Sequence, residues 1–275
     1  ALKQYANSNG IEIIGDIPIY MGYDSVDVWA NQGEFQLDEN LTPIKVAGVP
    51  PDGFSADGQL WGNPLYDWKK HKETGYAWWI QRIAYCKKAY DVVRIDHFRG
   101  FDEYFSIPYG DTTARNGHWE KGPGYDLFKT VEESLGKLNV IAEDLGYLTD
   151  TVKQMVADCG YPGMKVFEFA FDSRDSSGTS NYLPHNYTEN SVVYTGTHDN
   201  ETMIGWLKNI LPEERQMLKD YLHYDGDDDT VLVDMSIDCI MASVSDKCIV
   251  PMQDYLKLDN TARMNKPNTL GNKWM

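Results

Sequence analysis

Apolar and polar positions vary along this chain on two length scales. Short runs rich in β-branched residues recur at Ile11–Ile14, Val92–Ile95, Asn139–Ala142, Met164–Phe171, Ser191–Tyr194 and Cys248–Val250. Several are apolar nearly throughout, the pattern of parallel strands covered on both faces. Between them the period lengthens to that of a helix. From Tyr76 to Tyr90, the residues Trp79, Ile83, Cys86 and Tyr90 fall at steps of 4, 3 and 4. From Tyr125 to Leu135, the residues Leu127, Phe128, Val131 and Leu135 share one face, and Gly136 stands where a helix ends. Thr149 or Asp150 can cap a helix carrying Val152, Met155, Val156 and Cys159, stopped by Gly160 and Pro162. Pro212 can open another. Strand and helix in alternation predict an α/β fold on a parallel sheet. Residues 17–75 break the rhythm with many Gly, Pro, Asp and aromatic residues, so a long irregular insertion is expected there. No repeat and no linker divides residues 1–275.

Charge narrows the function. A formal net charge of −17 repels polyanions and argues against a nucleic-acid or membrane-surface role. No apolar run approaches the roughly 18 residues that a membrane span needs. The 4 cysteines, Cys86, Cys159, Cys239 and Cys248, show no metal-ligand spacing and read as small core residues of a reduced, cytoplasmic protein.

The acidic residues point to chemistry. Four apolar runs lead into acids: Ile14-Gly15 into Asp16, Arg94-Ile95 into Asp96, Ile141-Ala142 into Glu143 and Asp144, and Tyr194 to His198 into Asp199. Acids at successive strand ends are the pattern of a barrel that gathers its active site at one rim. No dinucleotide or phosphate-binding glycine motif and no nucleophile elbow accompanies them. Glycosyl transfer uses such a set: one ionised carboxylate attacks the anomeric carbon and one carboxylic acid protonates the leaving oxygen. Asp96, flanked by Arg94 and His97, suits the ionised role. Glu143, preceded by Val140, Ile141 and Ala142, suits the acid. Asp199 with His198 can grip sugar hydroxyls and oppose charge on the flattening ring. In "GQLWGNPLYDW", Trp61, Tyr66 and Trp68 either stack on sugar rings or pin a loop. A metal-dependent barrel enzyme is the competing class, since Asp16, Asp96, Glu143 and Asp199 could ring a cation, but Arg94 counts against it. The acidic run Asp225–Asp229 lacks the spaced ligands of a calcium loop and reads as a solvated loop.

The segments "GDIPIY", "GVPPDGFSADGQLWGNPLY", "VVRIDHFRG", "VIAEDLG", "TGTHDN" and "RMNKPNTLGN" together resemble the amylomaltases, 4-α-glucanotransferases related to the α-amylase superfamily. The resemblance covers essentially the whole chain. It implies a (β/α)₈ TIM-type barrel, present here as strands three to eight with an inserted subdomain, so that residues 1–275 form a partial catalytic barrel. It implies Asp96 as nucleophile, Glu143 as acid/base and Asp199 as transition-state stabiliser. Arg94, His198 and Asp16 would support the site, and His97, Gln59 and Trp61 would touch sugar. The expected activity is retaining transfer between maltooligosaccharides without cofactor or metal. An α-glucan hydrolase and a glucan-binding fragment remain alternatives. Pairing with a missing N-terminal part, or with a second copy, is expected to cover the edge strands.

Overall fold

The computed structural model describes residues 1–51, 55–146, 148–173 and 179–267. Parts of two quoted segments, Asp52-Gly53-Phe54 and 268–272, lie outside the described residues. The chain divides into two compact units. The first takes in Ala1–Asp144 and Leu148–Tyr161, and the second the described residues of 145–147 and 162–275. The division falls where the sequence has no linker composition.

The first unit runs through α1 (Leu2–Ser8), β1 (Ile14–Pro18), α2 (Val26–Ala30), β2 (Lys45–Val49), β3 (Gln59–Pro64), α3 (Trp68–Glu73), α4 (Ala77–Ala89), β4 (Val92–Asp96), β5 (Glu103–Pro108), β6 (His118–Lys121), α5 (Tyr125–Leu135), β7 (Val140–Ala142) and α6 (Asp150–Cys159). Strands β1, β4 and β7 are parallel neighbours in that order. Alternation decides which side chains meet the helices. Ile17, Val93, Ile95, Val140 and Ala142 join a core with Trp79, Ile83, Phe128, Val131 and Met155. The opposite face of the same strands carries Asp16, Arg94 and Asp96. Val92 and Ile141 share that second face and are buried, so β4 and β7 are covered on both faces as expected, with charge brought in on one of them.

β1 starts three residues later than expected. Residues before it are held by side chains as well as backbone: the Asp91 carboxylate accepts from Ile13 N–H at 2.8 Å, Asn7 Nδ2 donates to Ile11 O at 3.0 Å, and Val92 N–H donates to Ile13 O at 3.2 Å. The ladder begins with Ile14 beside Val92, which puts Asp16 within the strand and not at its end.

Within residues 17–75 the described part includes two strands, β2 and β3, that the pattern does not predict. β2 and β3 pair antiparallel, and β2 pairs with β5, giving the sheet order β3-β2-β5-β6. Gly48 is what lets the strands close: a Cβ there would stand 2.2 Å from Gln59 O and 2.5 Å from Ile107 Cδ1. The pairing of β2 with β5 is distant in sequence, so local pattern does not announce it.

The second unit contains β8 (Gly163–Val166), β9 (Ser191–Tyr194), α7 (Met203–Asn209), α8 (Pro212–Leu222), α9 (Asp229–Met241), β10 (Lys247–Ile249) and α10 (Met252–Tyr255). Its strands are parallel in the order β8-β9-β10. The apolar run from Met164 ends as strand at Val166 and continues as a 3-10 turn, Phe167–Phe171. Phe167 then reaches the core together with Ala170 and Phe171, three and four positions on. The acidic run is part loop and part helix start, because Asp228 caps α9 by accepting from Thr230 N–H at 2.8 Å. Leu232, Val233, Ser236, Ile237 and Ile240 are the buried face of that helix. Of the cysteines, Cys86 is buried, Cys159 and Cys239 are half-buried, and Cys248 is exposed, so the reading of all 4 as core residues is corrected.

Candidate active site

The charged face of β1, β4 and β7 is built around a buried cation. Arg94 is 7% exposed. Its Nη1 donates to Asp16 Oδ1 at 2.7 Å and Oδ2 at 2.8 Å, and its Nη2 stands 3.0 Å from Asp96 Oδ1. The register explains the clamp. Asp16 lies directly beside Arg94 on the neighbouring strand, and Asp96 lies two residues along β4 on the same face. Burial opposes the guanidinium's charge, but the carboxylates of Asp16 and Asp96 outweigh it and hold the Arg94 pKa above its ordinary value.

Glu143 follows β7 directly. Its N–H donates to Ile95 O at 3.1 Å, and its carbonyl accepts from Phe98 N–H at 3.0 Å. The ladder ends with Ile95 opposite Ala142, so Asp96 and Glu143 are the residues that follow its last pair. His97 then turns out of the strand with φ of 52°, a left-handed conformation that costs a non-glycine residue strain. That turn aims the His97 N–H at Glu143 Oε2, 2.7 Å away. The strained residue thereby ties the end of β4 to the carboxyl group that follows β7.

The His97 ring is not the cation expected beside Asp96. Burial, aided by the nearby Arg99 charge, lowers its pKa to about 3, so it is neutral at ordinary pH. Its Nε2 is enclosed and finds no hydrogen-bond partner among the described residues. Trp61 meets the ring edge-on at a centroid distance of 4.9 Å, and Tyr20 lies 6.3 Å away. Trp61 belongs to β3 and not to a loop. It is 37% exposed, and its Nε1 donates to Gln59 Oε1 at 3.1 Å, two residues back on the same face. Seven expected site residues, Asp16, Gln59, Trp61, Arg94, Asp96, His97 and Glu143, thus fall within the first unit.

His198 and Asp199 belong to the second unit, in the turn after β9. His198 Nε2 stands 3.3 Å from Asp199 Oδ2. Asn265 Nδ2 donates to Asp199 Oδ1 at 2.5 Å, and Arg263 Nη2 donates to the Asp199 carbonyl at 2.6 Å. Arg263 also holds Asn265, donating from Nε to its carbonyl at 2.7 Å. One carboxylate is thus fixed by an amide and an imidazole, with its backbone gripped by a guanidinium. Arg263, Asn265 and Tyr20 carry no role in the sequence reading. The polar "RMN" and the Tyr that ends "GDIPIY" were the available signals, but neither residue type is tied to one chemistry.

Among the described residues, no group of three or more His, Cys, Asp or Glu side chains is disposed to hold a metal ion. No helix among them is long and apolar enough to cross a membrane.

A family model described as 4-alpha-glucanotransferase matches residues 1–275. The chain belongs to this family. A 4-alpha-glucanotransferase of Streptococcus pneumoniae is 51% identical over 274 residues, covering 99% of this chain and 53% of its own length. Another, of Aquifex aeolicus, is 45% identical, covering 99% of this chain and 55% of its own length. Among solved structures, amylomaltase from Streptococcus agalactiae in complex with acarbose is 46% identical with a TM-score of 0.93, covering 99% of this chain and 54% of that one. The chain therefore spans about half the length of the relatives it matches. The mixed α/β fold with parallel strands agrees with that of the amylomaltase.

Proposed function

We propose that this protein is a retaining 4-α-glucanotransferase that moves α-1,4-linked glucan segments between maltooligosaccharides. The observation that carries the reading is that Arg94 stands 3.0 Å from Asp96 while the next residue, His97, donates its N–H to Glu143 Oε2 at 2.7 Å. The retaining mechanism expects the two carboxyl groups roughly 5–5.5 Å apart, against the roughly 6.5–9.5 Å that leaves room for a water. We assign the parallel strands to the third to eighth of a (β/α)₈ barrel, and the four free cysteines fit a cytoplasmic location.

In the first step an Asp96 oxygen attacks the anomeric carbon and the glycosidic C–O bond breaks. Glu143 gives its proton to the departing oxygen. One Glu143 oxygen, Oε2, already accepts the His97 N–H, so Oε1 is the one to carry the proton. In the second step the 4-hydroxyl of another glucan attacks the same carbon, the bond to Asp96 breaks, and Glu143 recovers the proton. Asp199 opposes the positive charge that builds on the ring in both transition states. Gln59, Trp61 and His97 would line the sugar, with the neutral His97 ring available as a hydrogen-bonding group. Asp16 holds Arg94, and His198 steadies Asp199.

Incubation with maltotriose tests the reading. Transfer yields glucose together with a ladder of longer maltooligosaccharides and little net gain in reducing ends. A steady rise in reducing ends without the ladder would mean that water, and not sugar, is the acceptor. Activity that chelators abolish would return the metal-dependent class.

A further inference from the structure

Beneath the turn that carries His198 and Asp199 lies a carboxyl group with no part in the reaction above. Glu168, in the 3-10 turn Phe167–Phe171, is 5% exposed. Its Oε1 is enclosed and has no hydrogen-bond partner among the described residues. That atom lies 3.1 Å from where a Cβ on Gly196 would stand, so the turn rests directly on the carboxyl. Asn200 closes the connection. The Asn200 Cβ also lies 3.1 Å from that point, and its Oδ1 accepts from Thr197 N–H at 3.0 Å and from Thr197 Oγ1 at 2.7 Å. Thr197 Oγ1 in turn accepts from Asp199 N–H at 3.3 Å. Asn200, Thr197 and Asp199 are thus joined by hydrogen bonds across one turn, and Glu168 packs against that turn at Gly196.

We propose that Glu168 is a positioning residue for Asp199, acting as an uncharged prop under the Thr197–Asn200 turn; the inference rests on the transition-state role given to Asp199. Its surroundings favour the uncharged form. Burial, and then the carboxylates of Asp254 and Glu201, push its pKa well above the ordinary range, against the smaller opposing pull of Arg263 and Asn200. Both Asp254 oxygens are turned to other partners. Its own carboxylate accepts from Thr195 Oγ1 at 2.6 Å and from Met203 N–H at 2.8 Å. Glu168 N–H donates to Thr195 O at 3.2 Å, so the prop is itself anchored to the end of β9.

A double-mutant cycle tests this. Wild type, Glu168→Ala, Asp199→Asn and the double variant are compared for kcat and KM on maltotriose. Loss of positioning should lower kcat roughly ten- to a hundredfold with little change in KM. The double variant should be no slower than Asp199→Asn, because both substitutions remove the same contribution. Glu168→Gln keeps the shape and the lack of charge and should retain most of kcat. Multiplying effects in the double variant would overturn the proposal, as would a Gln variant no faster than Ala. A second arm needs no turnover. In the substrate-free protein, the His198 imidazole titration followed by NMR should move to lower pH in Glu168→Ala, as Asp199 withdraws. An unmoved titration would also overturn the proposal. A wild type that makes no ladder from maltotriose would defeat the transferase reading instead, and the His198 arm would still decide the positioning role.

Discussion

At the scale of single residues, the site depends on one buried cation serving two carboxylates. Arg94→Met would take from Asp16 and Asp96 the guanidinium that they share. A carboxylate beside an arginine has its pKa lowered by about 1–3 units. Losing that cation should therefore raise the Asp96 pKa, and a nucleophile must be ionised. The acid limb of the kcat/KM profile should move upward by a comparable amount, with a fall in stability because two acids lose their counter-charge. A limb that stays in place would show that Arg94 does not set the charge of Asp96. Glu143→Gln tests the partner role. Transfer from natural glucans should nearly cease, while a substrate with a good leaving group, such as an α-maltosyl fluoride, should still form the glycosyl-enzyme. Only leaving-group protonation is lost, a contribution of about 10²–10⁴-fold. Equal loss on both substrates would take the acid role away from Glu143. His97 shows why adjacency in sequence misleads. Its charge is absent, and its contribution is a backbone N–H delivered by a left-handed turn.

At the scale of elements, the sheet that carries Gln59 and Trp61 depends on Gly48. Gly48→Ala forces a methyl against Gln59 O and Ile107 Cδ1. Overpacking of this kind costs about 1–3 kcal/mol, and the displaced element is β3 itself. The expected result is a lower thermal midpoint together with a raised KM for maltooligosaccharides at nearly constant kcat. A lowered midpoint with KM unmoved would detach β3 from sugar contact. This sheet also marks the limit of what the sequence reveals. The parallel strands β4, β7 and β9, and helices α4, α5 and α6, stand within a residue or two of where hydrophobic period puts them, because burial on one face imposes that period. β2 and β5 were not legible. Each is short, and they are held by partners some 60 positions apart, with an irregular register between Val46 and Gly48. The acids of the candidate site were legible as residues, because an apolar run that stops at a carboxylate is an anomaly. Their support was not. Glu168 sits inside an apolar run, and its meaning comes from the Gly196 and Asn200 side of a turn some 30 residues later.

At the scale of the whole molecule, the two units should answer acid in opposite directions. The first unit buries His71 and His97, whose pKa values are lowered from 6.5 to about 4 and about 3, chiefly by burial. Below pH 6.5 the unfolded chain takes up these protons and the folded one does not. Their contribution is therefore complete above pH 6.5 and lost progressively as pH falls toward the folded values, by up to about 1.4 kcal/mol per pH unit for each group. Glu34, close to His71, opposes part of this, because burial raises its pKa. The second unit buries Glu168 and Asp254, both raised chiefly by burial. Here the folded state holds the protons more tightly, so their contribution is present below the ordinary carboxylate range and lost as pH rises from there through the raised folded values. Between pH 4.5 and 6.5 the groups of the first unit therefore favour the upper end, and those of the second favour the lower. The net charge of −17 cannot produce that difference, since relief of repulsion on acidification acts on the chain as a whole. Hydrogen exchange read by mass spectrometry across this window, corrected for intrinsic rates, separates the effects. Peptides from β4, β7 and α4 should lose protection on going from pH 6.5 to 4.5, while those from β9 and α9 hold or gain it. In His71→Phe with His97→Gln, the loss in the first unit should shrink. Protection that fell in parallel in both sets of peptides, and did so equally in the double variant, would show that the buried histidines do not govern the acid response.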